Sequence, residues 1–594
     1  LKVLGDLGDL TQVGAGANAP IINSCTAWGG GVCSSVLIDA AGVTVSGFNI
    51  SNTNGPYGVQ IGLSSLGAVR ANDATLSYNR IHGVYGVNSG DGIRAVAIEP
   101  ADNVTIKYNL IEDIRPTNAA ANSWGKTVAG IFARVRGGAT SDLAIEDNII
   151  RDISITGATS SQYNGETVYN GAKGIWIGSS EGTTTASGVT IARNQISGVH
   201  SNLIAEGILV NHGRMYGAPS SGTTTGQVVS RNRISDVAGG VSSHGIELSG
   251  PTPGAQVSQN DVNLATSTVA NTAGVYIDAR ANANSSASNI EVSGNSLTGT
   301  GYGVDVAGNA TVNASGNWWG SNSETAVAAR TRGSVDFSPF LMSGTDTAAS
   351  IAGFQGDTTH VRVTTQGAQY DDTTGRVQEG INVAGVGGTV NVAAGIYAEE
   401  LALNSRSNLL FDDVSLVGLT LNAGATGSGI GGQLTATGNG KLVSDGALKL
   451  LADTTLKTHG RDIELRGAVQ NSGSAAYKLT LATNAGSGNN RGDVTLHSGG
   501  ADGNALGQLD VTARNVTLDS TAWVRGYTVA ATGNVALSNN TLKATAADVT
   551  SSLSAGGNVS GSTVSQGSIV VNSDGNVVAN ITAGGSASVT ADNI

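Results

Sequence analysis

Side chains that do chemistry must be held close together, and in this chain the search starts with aspartate. Asp113, Asp152 and Asp236 each stand four residues after an asparagine (Asn109, Asn148, Asn232), and Gly198 takes the same place after Asn194. If those asparagines mark equivalent points of a repeat, Asp113 and Asp152 are neighbours in successive turns of chain, about 5 Å apart. Two carboxylates that close bind a hard cation or share acid and base duties on a glycosidic bond. The same aspartates also read as turn formers that close on their own backbone. No Lys or Arg is fixed beside them, which favours the turn.

A second column follows a Gly-aliphatic pair. The residue after the aliphatic one points outward when the aliphatic points in. Those residues are Arg94, Phe132, Trp176, Leu209, Glu247, Tyr276 and Asp305. Phe132, Trp176 and Leu209 then form a contiguous apolar patch on one sheet, beside long loops that carry Trp124, Tyr163 and Tyr169. An exposed patch of this kind marks a binding face for a glycan or a neighbouring protein. If the loops fold over it, the patch is buried; both readings stand. Two further columns set Lys107 beside Glu146 and Asp147 beside Arg193, as ordinary surface pairs.

Other chemistries lack their residues. The seven histidines are scattered and no Cys-x-x-Cys occurs, so there is no zinc-type spacing. Neither a phosphate loop nor a calcium-binding Gly-Gly-x-Gly-x-Asp array is present, and no cofactor is expected. The net charge of −13 argues against nucleic acid as a partner. No apolar run approaches the length of a membrane span. Cys25 and Cys33 bracket a short Gly-rich loop, either as a disulfide made in an oxidising compartment or as two unpaired thiols.

These residues must be positioned by a repeat. Asn-x-aliphatic recurs at Asn79, Asn109, Asn148, Asn194, Asn232, Asn260 and Asn295. Gly-Ile or Gly-Val recurs between them at Gly92, Gly130, Gly174, Gly207, Gly245, Gly274 and Gly303. The two series alternate strictly, while the repeat length runs from 28 residues (Asn232 to Asn260) to 46 (Asn148 to Asn194). A fixed strand core with loops of variable length fits this. The chain has 594 residues with 86 glycines, 8 prolines and only 13% charged residues, a composition suited to many short strands and tight turns. One Asn per period implies stacked coils, with side-chain amides bonded along the stack about 4.8 Å apart.

With these Asn-x-Ile and Gly-Ile signals, the first half resembles the pectin-lyase-like right-handed parallel β-helix superfamily. The resemblance implies an all-β solenoid over residues 1–345. Its closing segment, Gly316-Asn317-Trp318-Trp319-Gly320 with Val335 to Phe340, is expected to cover the last coil's apolar end with Trp and Phe337; a Trp sugar platform is the other reading. A second β-helix is expected over 346–594, opened by a short capping helix near 375–384 whose Val377, Ile381 and Ala384 share one face. From about 440 to 590 the texture (GRDIELRGAVQNSG, YKLTLATN, GDVTLHSGG, LGQLDVTARNVTLDS) resembles repeats of filamentous-haemagglutinin-like exoproteins. That family's Asn-Pro-Asn-Gly secretion signature is absent, which leaves export by its route in doubt.

The resemblance implies two consecutive β-helices in one rod, part of a longer bacterial exoprotein at the cell surface or outside the cell. It also implies adhesion to a glycan or to a host or neighbouring cell, or self-association into fibres. The superfamily contains polysaccharide lyases, epimerases and glycosidases as well, but fold does not transfer function. An enzyme on this scaffold is therefore the second hypothesis, with Asp113 and Asp152 as its candidate groups. A tailspike-like receptor binder is a third.

Overall fold

The computed structural model describes the chain except residues 1, 5–20, 23–25, 29–31, 63–70, 87–91, 118–126, 136–139, 164–165, 180–185, 212–223, 251, 279–288, 371–372 and 485–491. The side chains of a few further strand residues, Tyr163 and Tyr169 among them, are also outside the description. Strands occupy 58% of the residues and helices 4%. Most strand pairings are parallel, and the fold is a parallel β-helix. Two compact units divide the chain: Leu1–Asp357 with Gln366–Tyr370, and Thr358–Thr365 with Asp371–Ile594.

In the first unit each coil visits three sheets in turn. Ile93–Ile98 lies in the first sheet, Thr105–Lys107 in the second and Leu110–Ile114 in the third, before Val128–Val135 returns to the first. Each sheet contributes one aliphatic column to the interior. In the first, Val59, Val96, Ile131, Ile175, Ile208 and Ile246 stand in register; Ile106 and Ile145 do so in the second, and Ile81, Ile111 and Ile150 in the third. All are fully buried. Branched side chains suit these pleated, crowded positions, and burying each one contributes about 1.5–3 kcal/mol.

The asparagine ladder turns the corner between the second and third sheets. The Asn109 backbone N–H and Nδ2 both donate to Asn148 Oδ1, each at 3.0 Å. Asn109 Nδ2 also donates to the Leu76 and Lys107 carbonyls. The pattern repeats through Asn194, Asn232, Asn260 and Asn295, and Asn317 adds an eighth rung that the repeat reading leaves out. All eight are buried. The residue before each rung is left-handed: Tyr78, Tyr108, Asp147, Arg193, Arg231 and Gln259 have φ between 55° and 58°, and glycines serve before Asn295 and Asn317. The Gly of the Gly-Ile signal has a different reason. A Cβ on Gly130 would lie 2.7 Å from the Gly174 carbonyl oxygen of the next coil.

Trp319 and Phe337 are buried and meet edge to face at 6.4 Å, beneath Gly303, where a Cβ would strike the Trp319 ring at 2.7 Å. With Trp319 fully buried, the sugar-platform reading fails for that residue; Trp318 is half-buried. A short helix, Glu324–Ala328, precedes Phe337 and carries no clear sequence signal.

The second unit begins with His360–Val363 and the helix Arg376–Ala384, which buries Val377, Ile381 and Ala384 as their spacing predicts. Glu399 accepts hydrogen bonds from the Val377 and Gln378 backbone N–H groups at the helix N-terminus. Coils here are shorter and alternate two strands. Val559–Ser565 pairs with Val577–Ala583, and Ser568–Ser573 with Ala587–Thr590. A shallower ladder recurs: Asn515, Asn534 and Asn558 each accept from the backbone N–H of the next rung at 2.9 Å. Asn534 and Asn558 are exposed.

Burial separates the two ladders energetically. Asn194→Leu orphans the buried Asn148 N–H and two carbonyls. It should cost about 2–4 kcal/mol, read as lost hydrogen-exchange protection in the adjoining coils. Asn534→Ala, where water replaces the amide, should cost less than about 1 kcal/mol. Equal losses would refute the burial argument.

A second test uses pH. Glu112 lies between Arg80 and Arg151, at 2.7 and 2.6 Å, with its side chain 8% exposed. Burial opposes its charge, yet the hydrogen bonds from Arg151 and Arg80 hold its carboxyl below the usual range. Its stabilisation is complete above the unfolded glutamate pKa of about 4.3 and is lost as pH falls through the lower folded value. Denaturation of wild type and Glu112→Gln should therefore differ most above about pH 5 and converge in acid. A gap that stays constant with pH would rule this out.

Candidate functional site: a buried charged column on the first sheet

The aspartate column proves to be a backbone feature. Asp113, Asp152 and Asp236 have φ of 54°, 57° and 51°, and the equivalent glycines Gly83 and Gly198 have 59° and 64°. Aspartate and glycine are among the residues that tolerate this left-handed region, so the column is chosen for conformation. Asp113 is committed to Tyr85 Oη at 2.6 Å and Arg115 Nε at 2.8 Å. Asp152 is exposed. Among the described residues neither belongs to a group of three potential metal ligands. The Asp147–Arg193 pair forms, with contacts of 2.9 and 3.0 Å.

The outward column of the first sheet needs two corrections. Phe132, Trp176 and Leu209 do stand in register, but they are 1%, 6% and 3% exposed and form a small buried cluster with Ala129. They are not an exposed patch. Arg94 does not share their column. Ala95-Val96, not Gly92-Ile93, aligns with Gly130-Ile131, so Ala97 precedes Phe132 and Arg94 pairs with Ala129. The Arg94 guanidinium instead lies 4.2 Å from the Phe132 ring centroid and donates to Tyr57 Oη. Trp124 lies outside the described residues. Tyr163 and Tyr169 belong to an antiparallel hairpin, Ser160–Tyr163 with Glu166–Tyr169. Cys33 is disulfide-bonded, while Cys25, the other cysteine of the chain, lies outside the described residues.

Reactive groups gather one position before the Gly-aliphatic pair. Lys173, Glu206 and His244 are in register on successive coils, each just before Gly174, Gly207 and Gly245. Lys173 Nζ lies 2.6 Å from Glu206 Oε2, with the side chains 5% and 4% exposed. The Lys173 ammonium is thus the ion-pair and hydrogen-bonding partner of Glu206 Oε2. His244 Nδ1 is 2.7 Å from Glu247 Oε2, and Ser249 Oγ donates to Glu247 Oε1. The imidazole stacks on Tyr276 at 4.4 Å, and its Nε2 is buried without a partner. Lys173 Nζ also lies 5.4 Å from the Trp176 ring centroid.

These environments drive the two carboxyls apart. Burial pushes Glu206 up to about 7, against the pull of Lys173. Burial also opposes the charge of Glu247, but hydrogen bonds from His244, Ser249 and Glu206 hold it at about 2. His244 is raised: burial lowers it, and the Glu247 hydrogen bond and surrounding carboxylates outweigh that. A carboxyl titrating near neutrality beside an imidazole and a carboxylate is equipped for proton exchange, and the group offers nitrogen and oxygen ligands together. The repeat reading missed it because it followed only the residue after the aliphatic; shifting to the residue before Gly finds Lys173, Glu206 and His244.

No protein-family model, no curated protein and no solved structure matches this chain. The site therefore rests on its own geometry.

Breaking a buried pair from one side leaves a buried charge. Lys173→Met should cost about 3 kcal/mol at pH 8, where Glu206 is mostly ionised, and Lys173→Met/Glu206→Gln together should cost less. A double variant that loses the sum of both singles would show that the two side chains are uncoupled.

Proposed function

We propose that the chain is a structural and adhesive β-helix of a bacterial exoprotein, similar to the filamentous-haemagglutinin-like family, at the cell surface or outside the cell. One observation carries the reading: an unbroken hydrogen-bonded ladder links coil to coil from Asn79 to Asn317. Such a stack resists separation of its coils and displays side chains at fixed intervals. The repeat texture of residues 440 to 590 supports the same class.

With Phe132, Trp176 and Leu209 buried, we assign contact with a glycan to Tyr78 and Tyr108. Their rings stack at 5.0 Å on a half-exposed corner. Both have the positive φ that the corner imposes before every rung. Their half-exposed edges are what a sugar would meet.

A specific observation favours a second reading. Glu206 near neutrality beside His244 is an acid–base pair, and under this reading polysaccharide cleavage or epimerisation would use those residues instead of Asp113 and Asp152. Glycan-array and cell-binding measurements on the full chain, beside turnover of uronate polymers, separate the two. Saturable binding that falls at least about tenfold in Tyr78→Ala/Tyr108→Ala supports adhesion. Turnover that disappears in Glu206→Gln, with no saturable binding, overturns it.

A further inference from the structure

We propose that Glu206, His244 and Glu247 form a binding site for a divalent first-row transition metal, with Lys173 balancing the carboxylates when no metal is bound. Among the described residues they are the one group of three potential ligands, and one ligand atom of each lies within 4.8 Å of the others. A separate observation points to a ligand. His244, 5% exposed at its side chain, gives one nitrogen to Glu247 and leaves the other buried without a partner. A flip of the ring would exchange nitrogen with carbon positions and give up the Glu247 hydrogen bond, so Nε2 is the nitrogen left over.

The donor set selects the metal class. One imidazole with two carboxylates suits zinc, cobalt or nickel, whereas calcium and magnesium favour oxygen alone. Two carboxylates and a neutral imidazole balance a divalent charge, which makes the Lys173 ammonium surplus. Lys173 sits at the end of a flexible stem and competes for Glu206 from 2.6 Å. The supporting contacts suit a ligand set as well. Ser249 holds Glu247, and Tyr276 fixes the imidazole plane, as groups around metal ligands commonly do. All three ligands stand on first-sheet strands tied in register, a rigid frame for coordination.

The test uses the full chain, stripped with chelator, dialysed and titrated with zinc by calorimetry, with bound metal counted by mass spectrometry. Wild type should hold one zinc ion per chain. His244→Ala and the isosteric Glu206→Gln, each checked for folding by circular dichroism, should weaken binding at least about a hundredfold. Lys173→Met removes the competing charge and should tighten binding at least about tenfold. Zinc should also raise the Tm of Lys173→Met more than that of wild type. X-ray absorption of the zinc-loaded chain should show nitrogen and oxygen ligands without sulfur. Wild type and Lys173→Met holding no more zinc than His244→Ala overturns the proposal. So does binding by folded Glu206→Gln and His244→Ala that equals wild type, since the ion then sits elsewhere.

Discussion

The corner between the second and third sheets is the constraint on which the first unit depends. There the chain turns within two residues, the first of them left-handed. A turn that tight leaves a buried backbone N–H and nearby carbonyls without partners in their own coil. Asparagine supplies an acceptor and two donors on a short side chain, so one residue type answers all of them. Asn148 Oδ1 takes the Asn109 N–H, while its Nδ2 serves the Ile106 and Glu146 carbonyls and the next rung. Because the bonds run along the stack, they set the spacing between coils. The loops elsewhere are free to vary in length, at an entropic cost that grows only slowly.

This explains which parts of the fold were legible in the sequence. A stack repeats the same physical problem in every coil, so its solution recurs as a letter: Asn at the corner, Gly where strands approach, an aliphatic inside. The helix Arg376–Ala384 and the Trp319–Phe337 cover were readable for a related reason, since each must hide an apolar coil end and shows its apolar spacing. What was not legible depended on register or on loops. Ala95 stands where other coils carry Gly, and Gly92-Ile93 imitates the signal three residues early, so Arg94 was set in the wrong column. Asn317 lies inside a motif read only as a cover. The aspartates at 113, 152 and 236 looked like chemistry because type alone does not separate a carboxylate chosen for reactivity from one chosen for φ. Burial of the first sheet's outer face could not be read at all. Periodicity says which way Phe132 points, but not whether anything lies over it.

The charged column raises a question of energetics that the ladder does not. The asparagines are neutral and each bond they make answers a backbone need, so burying them stabilises the stack. Lys173, Glu206, His244 and Glu247 answer no backbone need. Removing them from water costs several kcal/mol per ion, and replacing a buried ion pair with apolar residues is often neutral or stabilising. The same face shows the cheaper solution three coils long: Phe132, Trp176 and Leu209 fill it with apolar side chains and leave only the Trp176 Nε1 unsatisfied. The change from apolar to charged occurs within one strand spacing, between Leu209 and Glu247. Packing alone does not require it. A column that gives up stability to hold a carboxyl near neutrality, an uncommitted imidazole nitrogen and a lysine together is better explained by what those groups bind or exchange than by what they hold in place.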